Sequence, residues 1–214
     1  MKKLIITVDG PAASGKGTIS KHIKKKFNFY HLDSGLLYRI VAKEIVTKKI
    51  NFKNNKDLQI FLKKLKKISL KNQSGLRTLT ISKLTSEIAK FKKIRDFINF
   101  NQKKIVREKL KKFKGIVIDG RDIGSVVFKN AQIKFYIKTN PKIRAKRRYK
   151  ELIDRGEKSI YDSVLKEIKL RDYKDKNRIN SPLVIPKDAV IIDNSKTIKT
   201  TKKLVDSFIL QKIS

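Results

Sequence analysis

Gly10-Pro11-Ala12-Ala13-Ser14-Gly15-Lys16-Gly17-Thr18 is the stretch on which the fold turns. It follows Leu4-Ile-Ile-Thr-Val8, a short β-branched apolar run that predicts a buried strand. It precedes a basic stretch, from about Thr18 to Phe27, that predicts a helix. A glycine-rich turn between strand and helix is the setting of a phosphate-binding loop, or P-loop. Glycines let successive backbone N–H groups converge on phosphate oxygens, and the helix N-terminus adds the positive end of its dipole. Lys16 adds a point charge. A nucleoside triphosphate is the ligand this turn predicts, with all nine residues from Gly10 to Thr18 lining it. The turn says nearly nothing about what receives the phosphate.

One departure from the general pattern bears on metal. The usual motif has Ser or Thr directly after the lysine to ligate Mg²⁺, whereas here Gly17 precedes Thr18. The metal is therefore expected to be held largely through waters. Asp119, at the end of an apolar strand, is the residue placed to order them. A carboxylate capping the next turn is the other reading of Asp119.

Outward from the loop, strand-like and helix-like segments alternate. Strands are expected at Phe29–Leu32, Ile116–Ile118, Ile133–Ile137 and Ala189–Ile192, each followed by a helical stretch. That alternation predicts an α/β fold, a five-stranded parallel sheet with helices on both faces. Pro141 suits the first turn of a helix running to about Arg155. Ser159 with Asp162 reads as a capping box for a helix carrying Leu165, Ile168 and Arg171. Between 56 and 113 the pattern changes, to two helical stretches flanking a hairpin with arms Lys67–Leu70 and Thr78–Ile81, turned at Asn72–Gly75. The 214 residues therefore read as a single domain. Its core covers about 1–55 and 114–214, a small insert about 56–113, and a short helical lid about 150–180 with its tip at Arg155–Ser159.

Composition narrows the class. No cysteine is present, which excludes disulfides, a thiol nucleophile and thiolate metal sites. The apolar run at Leu4–Val8 is too short for a signal peptide or membrane span, so a soluble cytoplasmic protein with no membrane partner is expected. Lys+Arg number 55 against 19 Asp+Glu, a net charge of +36. Such an excess suggests nucleic acid. Arg supplies only 11 of the 55, however, and the lysines spread along the chain with no tail and no arginine-rich aromatic stretch. Lys, Asn, Ile and Phe abound together wherever codons are AT-rich, so no specific nucleic-acid partner is expected. The few arginines become the informative cations.

Three clusters place arginines at or near the ends of strands or helices: Asp33-Ser-Gly-Leu-Leu-Tyr38-Arg39, Asp119-Gly-Arg121-Asp122-Ile-Gly124, and Arg171-Asp-Tyr-Lys-Asp175-Lys-Asn-Arg178. With the GKGT form of the P-loop, seen in nucleoside monophosphate kinases, these four ordered motifs resemble bacterial cytidylate kinases along nearly the whole chain. The resemblance implies a P-loop kinase fold. It also implies Mg²⁺- and ATP-dependent phosphorylation of CMP and dCMP by direct in-line transfer. Lys16, Arg121, Arg171 and Arg178 would be catalytic. Ser34, Tyr38, Arg39 and Arg121 would hold the acceptor phosphate. Asp122, Ser86 and Arg95 would read the base, and Arg171, Asp175 and Arg178 would close on ribose and phosphates. The insert departs from relatives by passing almost directly from Ile81 to Thr85.

The chemistry agrees. A phosphate acceptor is already an anion, so no general base is needed; positioning and charge neutralisation remain. Arg171, Asp175 and Arg178 share one helical face if the helix reaches Arg178. His22 reads as a surface residue and His31 as a packed or hydrogen-bonded one. A GTPase would need the Asn-Lys-x-Asp signature, of which Asn55-Lys56-Asp57 falls one residue short. A kinase for UMP, AMP or shikimate is the nearest rival. A monomer is expected.

Overall fold

A computed structural model describes residues 3–66, 68–70, 74–76 and 78–213. The strands are β1 (Leu4–Asp9), β2 (Tyr30–Asp33), β3 (Gly115–Gly120), β4 (Ile133–Lys138) and β5 (Val190–Asp193). The helices are α1 (Lys16–Phe27), α2 (Ser34–Thr47), α3 (Asn55–Leu65), α4 (Leu79–Ile88), α5 (Lys92–Leu110), α6 (Pro141–Ile153), α7 (Tyr161–Asn177) and α8 (Ile198–Ile213). The chain divides into two compact units, 33–111 and the remainder.

In the larger unit the strand order is β2-β3-β1-β4-β5. β1 pairs in parallel with β3 on one side and β4 on the other, Ile6 lying opposite Val117 and Ile133. β4 pairs in parallel with β5. Central strands covered on both faces must be apolar along their length, which is why Ile6, Val8, Ile116, Val117 and Ile118 are all fully buried. One face packs Val8, Phe135 and Ile137 against Ile19 and Ile23 of α1 and Val205 and Ile209 of α8. Each such side chain contributes about 1.5–3 kcal/mol. The order reverses around β1, so the loop leaving β1 lies at the switch point where open α/β sheets bind ligands. Ala145, Val164 and Ile168 form a separate small core between α6 and α7. Asn140 caps α6, accepting from Lys142 N at 2.9 Å, with Pro141 in the first turn as expected.

Unit 33–111 holds α2 to α5, and α2 packs against α4. The expected hairpin is not formed. Residues 78–81 open a helix, Thr78 Oγ1 capping it by accepting from Ile81 N at 3.3 Å. Ile81, Thr85 and Ile88 recur at helical spacing and are all buried, and this periodicity outweighs the β-branched composition. Ile68–Leu70 has no regular structure, and Lys67, Asn72 and Gln73 lie outside the described residues. Two smaller readings also change. The N-cap of α7 is Ile160, with no side-chain cap, so Ser159 and Asp162 form no capping box there. Helix α7 ends at Asn177, and Arg178 is extended at φ −70, ψ 139.

Candidate functional site

The P-loop is a compound turn with Gly10, Ala13 and Gly15 all at positive φ (149, 55 and 93°). Gly15 is the N-cap of α1 and brings no side-chain cap, while the first turn carries no acid. The opening N–H groups of α1 are thus left for an external acceptor. Lys16 is buried at 8% exposure, its Nζ donating to Pro11 O at 2.6 Å and to Ser14 Oγ at 3.5 Å. Burial holds its ammonium well below the usual lysine range, and Arg121 and Arg171 push the same way. Asp119 and Asp9 only partly oppose them. Three cations therefore converge here in mutual repulsion, an arrangement that anionic phosphates relieve.

The second strand-end cluster meets the third sequence cluster in the same unit. Arg121 Nε donates to Asp175 Oδ2 at 3.0 Å. Arg178 lies off the helix, yet its Nη2 reaches Asp122 Oδ1 at 3.4 Å and its Nη1 reaches Asp175 Oδ1 at 3.9 Å. Burial raises the pKa of Asp175, but Arg121, Arg171 and Arg178 outweigh it and hold the carboxyl below its usual range. Asp119 sits beside the P-loop, its Oδ2 3.7 Å from where a Cβ on Gly17 would lie. The same oxygen takes the His31 ring at 3.2 Å. His31 is thus the hydrogen-bonded histidine expected. His22, expected at the surface, is part-buried, and its Nε2 meets Asp206 Oδ1 at 2.8 Å.

Unit 33–111 gathers the other candidates. Asp33 caps α2 by accepting from Leu36 N at 3.1 Å, which sets Ser34, Tyr38 and Arg39 along its first turns. Arg39 Nη1 donates to Leu76 O at 3.2 Å and Ser82 Oγ at 2.8 Å. Ser86 lies one turn on from Ser82 in α4, donating to its carbonyl at 3.4 Å. Arg95, on α5, is buried, donates to Ala89 O at 3.2 Å and lies 5.8 Å from the Tyr38 ring centroid. Tyr38, Arg39, Ser86 and Arg95 thus converge through α2, α4 and α5.

Asp9 escapes the sequence reading. It ends β1 fully buried, and its two carboxylate oxygens accept from Ile123 N at 2.9 Å and Gly124 N at 2.7 Å. These contacts anchor a π-helical turn, Ile123–Val127, directly after Arg121 and Asp122. Gly124 permits the approach, since a Cβ there would meet Thr7 Oγ1 at 2.6 Å and Asp9 Oδ2 at 3.2 Å. Burial raises the Asp9 pKa to about 6 from 3.8, the two N–H groups opposing it and Asp122 adding to it. A folded pKa above the unfolded one means the fold binds the proton more tightly. Asp9 therefore favours the fold most below about 3.8, and that contribution is lost as pH rises through about 6. Relative to wild type, Asp9→Asn is expected to gain thermal midpoint across that window, above a constant loss from the mismatched amide. A gap that does not change with pH contradicts this.

The family model described as cytidylate kinase matches residues 6–214. The cytidylate kinase of Fusobacterium nucleatum subsp. nucleatum is 37% identical, over 100% of this chain and 98% of the relative. That of Bartonella quintana is 37% identical, over 98% of this chain and 97% of its own length. Among solved structures, shikimate kinase from Bacteroides thetaiotaomicron superposes with a TM-score of 0.51 at 9% identity, covering 96% of this chain and 98% of its own. A Thermus thermophilus protein superposes at 0.54 with 11% identity, covering 99% and 98%. At such identities the likeness speaks for the α/β kinase fold alone.

Proposed function

From the premise that this chain belongs to the cytidylate kinase family and is a nucleoside monophosphate kinase, we propose that it transfers the γ-phosphoryl group of ATP to CMP and dCMP. The observation that carries this reading is the convergence of Lys16, Arg121 and Arg171 beside an open helix N-terminus. Charge on a transferring phosphoryl group is spread over its equatorial oxygens, and the acceptor is itself an anion. Cations already fixed in place need no reorganisation as that charge moves. In this reading Lys16 and the P-loop N–H groups hold the donor phosphates. Arg121, Arg171 and Arg178 neutralise the moving group, and Ser34, Tyr38 and Arg39 seat the acceptor phosphate. Asp175 orients Arg121 by its 3.0 Å hydrogen bond and belongs with the groups closing over the ribose.

The donor set suits Mg²⁺. Among the described residues no three His, Cys, Asp or Glu side chains gather into a cage. A hard cation that keeps several of its waters needs only one protein carboxylate, and Asp119, beside Gly17, would hold it through those waters. Mg²⁺ held there would neutralise charge on the phosphates. No helix among the described residues is long and apolar enough to cross a membrane, and a cytoplasmic monomer acting on small nucleotides fits this reading.

Base choice follows from hydrogen-bond polarity. Cytosine offers an amino donor at N4, which the carboxylate of Asp122 accepts, and acceptors at N3 and O2, which Arg95 and Ser86 serve. Uracil reverses the first two positions, and each unpaired buried group costs about 1–3 kcal/mol. CMP is therefore expected to exceed UMP about 10- to 100-fold in kcat/KM. A coupled ADP-release assay over CMP, dCMP, UMP, AMP and shikimate measures it. Equal turnover of CMP and UMP rejects Asp122 as the base reader, and preference for AMP or shikimate rejects the whole assignment.

A further inference from the structure

We propose that Arg144 and Asp172 form a buried strut that sets the P-loop and the arginine-bearing helix α7 in register, so that both act as positioning residues for phosphoryl transfer. The inference rests on the reading above for its catalytic consequence, though not for its geometry. Asp172 lies within the Arg171–Arg178 cluster without a role there, and Arg144 belongs to none of the sequence clusters.

Arg144 is a charged side chain only 2% exposed, a position that is costly unless every part of the charge is used. Its Nε donates to Thr139 O at 3.0 Å. Its Nη1 donates to Ala12 O at 3.1 Å and to Asp172 Oδ1 at 3.0 Å, and its Nη2 to Asp172 Oδ2 at 2.5 Å. The pairing with Asp172 is a two-point fork, which fixes angle as well as distance in a way an ammonium cannot.

The near end acts on the loop. In a trans peptide the carbonyl and the next N–H point to opposite sides. Holding Ala12 O from behind therefore sets the direction of Ala13 N–H. The same logic continues along the loop. Ser14 O accepts from Thr139 Oγ1 at 3.1 Å and Asn194 Nδ2 at 2.8 Å, which sets Gly15 N–H. Thr139 thus bonds both the loop and Arg144. These ties hold Ala13 in its left-handed conformation, φ 55, which an alanine rarely adopts unaided.

The far end acts on α7. Asp172 follows Arg171 directly, and Asp175 on the same helix takes Arg121 Nε at 3.0 Å. One guanidinium therefore joins the donor-phosphate loop to the helix carrying Arg171 and, through Asp175, to Arg121. Displacement of such groups by about 1 Å costs on the order of 10²-fold in rate.

Three variants test this: Arg144→Lys, Asp172→Asn and the apolar double variant Arg144→Met/Asp172→Met. Each single change is expected to lower kcat about 10²-fold while the KM values for ATP and CMP move less than about threefold. The double variant is expected to recover much of the thermal midpoint that the singles lose, because replacing both members of a buried pair removes the stranded charge. It is not expected to recover kcat. If kcat returns with stability, the pair is merely structural and the proposal is overturned. A readout that needs no substrate judges the strut alone: in ¹⁵N–¹H spectra without nucleotide, the Ala13 and Gly15 amide resonances of Asp172→Asn should move or broaden. Their coincidence with wild type overturns the strut even where the double variant fails to fold. A wild-type chain inert toward CMP, with those resonances shifted in Asp172→Asn, would instead sink the proposed activity and leave the strut standing.

Discussion

Replacing Lys16 by methionine is expected to lower CDP formation about 10³-fold while leaving the thermal midpoint unchanged or higher. The two halves of that result have separate causes. In the proposed reading the ammonium is the point charge that the P-loop sets against the donor phosphates. It is also a buried cation pushed well below its usual range by desolvation and by Arg121 and Arg171, so its charge works against the folded state. Methionine follows the lysine side chain as far as Cε, one heavy atom short, and removes the charge. It strands the Pro11 carbonyl, which Lys16 Nζ holds at 2.6 Å, at a cost of about 1–3 kcal/mol. Relief of the buried charge is of similar size or larger. Steady-state kinetics and a thermal melt on the same preparation check both halves. Retained turnover, or a large drop in midpoint, contradicts this assignment of Lys16.

Gly10→Ala should show the opposite balance, with the fold suffering first. Gly10 sits at φ 149, where L residues are strained by about 1–3 kcal/mol. A Cβ there would also overlap the carbonyl oxygen of Ile137, part of the β4 backbone, and approach Ser14 Oγ at 3.2 Å. Neither the strand nor the loop can retreat without breaking the ladder between β1 and β4. A fall of about 10 °C in thermal midpoint is expected, from a total near 4 kcal/mol at about 2–4 °C for each. Nucleotide binding should weaken in parallel, because the loop moves with the strand. A midpoint within about 2 °C of wild type contradicts the close packing of that turn.

What was legible in the sequence was what is encoded locally. The P-loop announces itself because its glycines, lysine and flanking periodicities lie within a few turns of chain. The cluster residues followed from their order. Asp9 was not legible, because it reads as an ordinary strand end and its partners Ile123 and Gly124 lie 114 and 115 positions away. Arg144 was hidden for the same reason, with Ala12 132 positions distant. The missing hairpin is a different failure. Thr78-Leu-Thr-Ile81 has strand-like composition, and the signal that could have corrected it was the spacing of Thr78 as a cap before Ile81, Thr85 and Ile88. Arg178 shares no helical face with Arg171 and Asp175, because α7 stops at Asn177. It leaves the helix, yet still reaches Asp175 and Asp122.

Product identity tests the central claim most directly. The chain is incubated with ATP, Mg²⁺ and CMP, and the nucleotides are resolved by ion-exchange chromatography over time. CDP and ADP should appear in equal amounts, with no ADP formed when CMP is omitted. ADP accumulating without CDP, or ATP left unconsumed, would contradict it.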